Sequence, residues 1–154
     1  MYDPDMSQDT TGRWTPAWLA LLRTHSRLWD QVEAQMRRDS GLTMARYDVL
    51  MQLDMAGGRL GLSELASRIV LSPSGLSKLL DRMAAAGLIR REPDPRHARS
   101  TFARITPKGR SLVRKARQSH HAWLQRAFGD TLDDSDLADL TRIMGRIDAQ
   151  TSRL

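Results

Sequence analysis

At 154 residues, with 40% hydrophobic and 27% charged positions, the chain has the size and composition of one folded domain, and no apolar run nears the roughly 20 residues of a membrane span. It has no cysteine, which excludes disulfides, thiolate metal sites, cysteine nucleophiles and thiol-based sensing, and its polar opening MYDPDMSQDTTGRW is unlike a signal peptide, so a cytoplasmic location is expected. The net charge of +6 is unevenly placed: 13 Lys and Arg against three acids between positions 68 and 117 give +10, leaving −4 elsewhere, which marks a solvated basic surface or a nucleic-acid face.

In chain order, Thr15-Pro16 reads as an N-cap followed by proline at the first helical position. Trp18, Leu21, Leu22, His25, Trp29, Val32 and Met36 follow at helical spacing, which predicts a long first helix ending at Gly41. Thr43 caps a second helix over 45–55, with Tyr47, Leu50 and Met51 inward, and the glycine-rich stretch 57–61 reads as a turn. Ser63 opens a short third helix carrying Leu65, Ala66 and Ile69, and Val70-Leu71 leaves room only for a tight turn. Ser72-Pro73 starts a fourth helix with the stripe Leu76, Leu79, Leu80, Met83, and Gly87 suits its left-handed end. Residues 88–92 and 101–105 predict a β-hairpin whose long tip, 93–100, is polar and basic. Thr106-Pro107 caps a fifth helix with Leu112, Val113, Ala116, His120, Trp123, Leu124 and Ala127. Asp133-Asp134-Ser135 leads into a sixth with Leu137, Leu140, Met144, Ile147 and Leu154.

Two short helices joined by a tight turn and followed by a basic hairpin suit duplex DNA, because the second helix can enter the major groove while the hairpin reaches backbone or minor groove beside it. The apolar stripe of the fourth helix leaves Ser74, Gly75, Ser77, Lys78, Asp81 and Arg82 outward. Small polar residues there allow close approach to base edges, which assigns Ser74, Ser77 and Lys78 to the groove, although a serine in a first turn often does no more than meet solvent. Arg96 and Arg99 lie in the tip and suit the negative potential of a narrow minor groove. Arg90, Arg91 and Arg104 lie nearer its base, where phosphate contact and pairing with Glu92 or Asp94 are equally open.

LTMARYDVL, LSELASRIVLSPSGLSKLLDRMAAAGLIRR and ITPKG resemble the corresponding stretches of the MarR family of bacterial regulators. The resemblance implies a mainly α fold with a small β-hairpin, a winged helix-turn-helix with N- and C-terminal dimerisation helices. One domain, 1–154, would place dimerisation helices at 14–40 and 107–154 and the DNA-binding lobe at 43–106. The implied function is a sequence-specific, double-stranded-DNA-binding homodimer of the repressor kind, reading a pseudo-palindromic operator, with DNA-binding residues Ser74, Gly75, Ser77, Lys78, Arg82, Arg96 and Arg99. Arg99 falls on the family's wing arginine, and His97 stands where the family usually has an aspartate. The family also implies a small-molecule effector. Trp18, His25, Trp29, Tyr47 and Asp48 are candidates to line its pocket, and tryptophans at helical spacing serve dimer cores as readily. A urate-sensing subgroup shares an acid at Asp48 and an arginine at Arg91 but expects arginine where Leu79 stands, so urate is not carried over. No cofactor, metal or membrane partner is expected, and the absence of HExxH, GxSxG and nucleotide-loop patterns argues against an enzyme.

Overall fold

A computed structural model of the chain describes residues 12–69, 72–94 and 97–152. The expected turn at Val70-Leu71, Arg96, Leu154 and the opening residues 1–11 lie outside the described residues. The elements run α1 (Thr15–Ser40), α2 (Met44–Met55), β1 (Arg59–Gly61), α3 (Leu62–Arg68), α4 (Pro73–Ala85), β2 (Ile89–Asp94), β3 (His97–Ile105), α5 (Pro107–Leu124), a π-helical turn (Gln125–Gly129) and α6 (Asp134–Thr151). This is the mainly helical, winged arrangement that the sequence predicts.

Three local readings are corrected. Thr15 is the first helical residue of α1 and Trp14 the cap, because proline is tolerated anywhere in a first turn whose N–H groups lack helical partners. The glycine-rich stretch is a turn only at its start: Arg59, Leu60 and Gly61 form β1, which pairs antiparallel with Arg104, Ala103 and Phe102 of β3. Three residues are too few to show an alternating pattern, so the strand exists through its partner. The hairpin tip is also shorter than expected, since β2 and β3 stay in register to Pro93↔Thr101 and, past an irregularity, meet again at Asp94↔His97. The sheet order is β1-β3-β2.

Leu76, Leu79, Leu80 and Met83 of α4 are all buried, against a core that includes Leu42, Val49, Leu50, Leu53, Leu65, Ile89, Ile105 and Val113. Each such aliphatic side chain contributes about 1.5–3 kcal/mol on burial, so the stripe alone fixes which side of α4 faces outward. The start of α5 closes the end of α4. Thr106 donates from its N–H to the Leu88 carbonyl (3.0 Å) and from Oγ1 to the Gly87 carbonyl (2.7 Å), while Lys108 Nζ donates to the Ala86 carbonyl (2.8 Å). These bonds occupy the carbonyls of the three residues that follow α4, whose own late carbonyls at Arg82, Met83 and Ala84 accept from the N–H groups of Ala86, Leu88 and Gly87, with Gly87 at φ 71° supplying the left-handed exit.

α1 and α5 pack together, and Asp39 of α1 accepts hydrogen bonds from Ser119 of α5 and from Gln35. α2 is tied to α5 through Asp54, which accepts from Arg117 Nη2 at 2.9 Å and Arg110 Nη1 at 3.4 Å. α6 opens with a capping box between Asp133 and Asp136, yet none of its residues is buried. Ile143 and Ile147 are each 44% exposed, and Trp14, Trp18, Leu19 and Leu22 of the α1 region are exposed as well.

Candidate nucleic-acid interface and the adjoining cavity

Ser72 Oγ accepts the Gly75 N–H at 3.2 Å and fixes the first turn of α4. A Cβ on Gly75 would lie 3.0 Å from that oxygen, so glycine there lets the cap close tightly. Beyond the cap, Ser74, Ser77, Lys78, Asp81 and Arg82 are exposed, as the stripe requires. Arg82 Nε donates to the Lys78 carbonyl at 3.2 Å, which lays its side chain back along the helix.

Arg91, which the sequence places at the hairpin base, reaches from β2 to the exposed side of α4. Its Nη2 donates to Ser77 Oγ and to the Ser77 carbonyl, both at 3.3 Å, and lies 3.3 Å from Asp81 Oδ1. The Ser77 hydroxyl thus accepts from Arg91 and keeps its own O–H for another acceptor. Arg104 pairs with Glu92 at 2.7 Å, and Arg59 stacks over Phe102 with Glu92 3.8 Å away. These contacts bind the three strands together. Arg90 is exposed and forms no ion pair among the described residues. Arg99 is a residue of β3.

Sequence reading missed a groove of about 450 Å³ beside α4, bordered by Arg37, Thr43, Arg46, Leu79 and Arg82. Arg37 is paired with Glu33, whereas Arg46 has no ion pair among the described residues. The only sequence signal was a second-helix arginine one turn inside the Thr43 cap, which gives no hint of a neighbour on α4.

Where α1, α2 and α5 meet, a cavity of about 380 Å³ is lined by Trp29, Met44, Ala45, Tyr47, Asp48, Met51, Gln52, Met55, Ile69 and His120. Trp29, Tyr47 and Asp48 are brought together here. His25 stands outside, its ring 6.1 Å from that of Trp29, and Trp18 is exposed on α1 away from the lining. The sequence placed His120 on the inner face of the fifth helix with Ala116 and Trp123, but not among the candidates to line the pocket. Its ring lies 5.1 Å from Tyr47 and 6.4 Å from Trp123. Burial raises the Asp48 pKa, against the hydrogen bond from Gln52, and burial also raises that of Tyr47.

Burial, and then the nearby His121, lower the His120 pKa. The unfolded chain therefore takes up a proton more readily at this residue than the folded one. The associated stability is complete above about pH 6.5 and is lost as pH falls below that value. Asp48, with its raised pKa, acts in the opposite sense at lower pH, in the carboxylate range. Thermal unfolding followed between pH 7.5 and 5.5 should show a falling midpoint, with a shallower fall in His120→Gln; identical pH dependence in both proteins would exclude His120 as the titrating group.

Comparison with known proteins decides what this geometry serves. Residues 40–100 match a family model described as the MarR family. The HTH-type transcriptional regulator YkoM of Bacillus subtilis (strain 168) is 30% identical over 120 residues, spanning 75% of this chain and 77% of YkoM. The chain belongs to the MarR family. Among solved MarR-family structures, AbsC of Streptomyces coelicolor superposes with a TM-score of 0.85 at 33% identity, covering 91% of this chain and 95% of AbsC. Sco3205 of the same organism, solved in complex with DNA, gives 0.84 at 29% identity, covering 89% and 86%. The MarR chain is accordingly a DNA-binding transcriptional regulator and not an enzyme. No helix among its described residues is long and apolar enough to cross a membrane.

Proposed function

We propose that the chain is a homodimeric repressor of a pseudo-palindromic operator, released when a small molecule fills the cavity around Trp29, Tyr47, Asp48 and His120. The observation that carries this reading is the outward side of α4, where Ser74, Gly75, Ser77, Lys78 and Arg82 form a small, polar and cationic surface continuous with Arg46 on one flank and the wing on the other. In this reading residues 43–106 form the DNA-binding lobe, and residues 14–40 and 107–154 form the dimerisation helices. Ser74, Ser77 and Lys78 meet base edges, Arg46 and Arg82 meet phosphate, and Arg96 and Arg99 serve the wing. The exposed apolar residues of α1 and α6 support pairing of two protomers, and two-fold symmetry would present two recognition helices to two half-sites. Repression follows from occupancy: a dimer seated on its operator by default blocks other proteins there until ligand removes it.

The test begins with capture of genomic fragments by the purified protein, which supplies the operator, followed by anisotropy titrations on operator and random duplexes across a salt series. Ser74→Ala or Lys78→Ala is expected to reduce preference for the operator by about 1–3 kcal/mol. Arg46→Ala and Arg82→Ala should weaken both duplexes alike and lower the salt slope by about one unit each. Arg99→Ala should reduce discrimination in favour of narrow, A·T-rich flanks. Equal losses on both duplexes for Ser74→Ala and Lys78→Ala would reassign the α4 surface to phosphate.

A further inference from the structure

The cavity between α1, α2 and α5 has an electrostatic character that bears on what enters it. Among the described residues its one charged lining residue is a carboxylate, Asp48, and no lysine or arginine lines it. Asp48 has no ion pair among the described residues and is hydrogen-bonded with the Gln52 amide. Arg117, which acts on the Tyr47 phenol from nearby, is engaged by Asp54 at 2.9 Å and by Met51 Sδ at 3.3 Å, outside the lining. The rest of the wall supplies three aromatic faces, Trp29, Tyr47 and His120, and the thioethers of Met44 and Met55, the sulfur of Met51 being held by Arg117.

Aromatic faces attract cations through their quadrupoles, thioether sulfur is polarizable, and a carboxylate sheltered from water and lacking a counter-ion gains most from a positive partner. An anionic guest would meet the opposite conditions, since it would lose its water beside a negative charge with no guanidinium or ammonium among the described lining residues to receive it. At about 380 Å³ the cavity stands near the lower end of ligand pockets, which run from roughly 300 to 1,000 Å³, so it suits a guest of one or two rings. We propose that the effector cavity of this regulator selects organic cations, an aromatic or alkyl ammonium whose positive group faces Asp48 among Trp29, Tyr47 and His120. This assignment rests on the reading of the cavity as the effector site and adds the chemical class of the effector.

The experiment uses the full-length protein and three probes of similar size: benzyltrimethylammonium, benzyl alcohol and benzoate. Binding is measured by calorimetry, and operator affinity by anisotropy at each probe concentration. The cation is expected to bind roughly tenfold or more tightly than benzoate. Asp48→Asn should erase most of that ratio and Asp48→Glu should retain it, with thermal unfolding confirming that both variants fold. Benzoate binding as tightly as the cation, an Asp48→Asn ratio equal to wild type, or no binding by any probe would each overturn the assignment. Benzoate binding that releases the operator would overturn the charge class and leave the effector reading standing. Cation binding that depends on Asp48 but does not alter operator affinity would uphold the charge class and remove the effector reading.

Discussion

Glutamate at both Ile143 and Ile147 is expected to separate the protomers and reduce operator affinity by about two orders of magnitude or more, because a dimer holds its second half-site at high effective concentration and a monomer does not. The two isoleucines stand one turn apart on α6, each 44% exposed, and residues 141–150 are exposed throughout within the protomer. That exposure makes the substitution informative, since it places charge where a partner is proposed to sit and removes no residue of the protomer's buried core. Burying two unpaired carboxylates against apolar helices would cost far more than the interface gains from the isoleucines. Helix content should be kept, while light scattering reports half the wild-type mass and anisotropy reports the loss on the operator. A variant that remains dimeric and binds normally would remove α6 from the interface.

The parts of this molecule that were legible from sequence are those written in local chemistry. The stripe Leu76, Leu79, Leu80, Met83 is buried as its spacing requires, and the caps at Thr43, Ser72, Thr106 and Asp133 accept the backbone N–H groups that such residues accept at helix starts. Features created by meetings distant in sequence were not legible. β1 is three residues long and exists because β3 lies beside it. Arg91 reaches α4 because the hairpin folds back on the helix that precedes it, and nothing in the run IRRE distinguishes Arg91 from Arg90. For the cavity, aromatic residues on α1 gave no way to choose between Trp18, which is exposed away from it, and Trp29, which lines it. That choice depends on where α2 and α5 cross α1. Arg46 became notable only once α2 stood beside Arg82.

Gly109→Ala is expected to destabilise the protein severely, against the direction that helix propensity alone gives. Alanine in a helix is ordinarily better than glycine by about 1 kcal/mol, and Gly109 lies in the first turn of α5. A Cβ built there, however, would lie 2.2 Å from the Leu88 carbonyl oxygen and 3.0 Å from Ile105 Cγ1. The first of these neighbours is backbone and cannot rotate away. It also accepts hydrogen bonds from Thr106, from the N–H at 3.0 Å and from Oγ1 at 3.1 Å, so moving it detaches the start of α5 from the end of α4. Overpacking of this kind costs about 1–3 kcal/mol and sometimes more, a large share of the roughly 5–15 kcal/mol that stabilises a domain. Gly145→Ala supplies the contrast, since nothing among the described residues outside its own helix backbone and chain neighbours lies within 4 Å of a Cβ at that helical position. Urea unfolding should therefore show a clearly lower midpoint for Gly109→Ala and no comparable loss for Gly145→Ala. The same junction joins the helix that carries Ser74 and Lys78 to a helix that packs on α1, so the Gly109 variant should also bind the operator more weakly at temperatures where it remains folded. A wild-type urea midpoint for Gly109→Ala would mean that α5 can draw back from Leu88 at little cost, and the close approach would then have no part in holding the recognition helix.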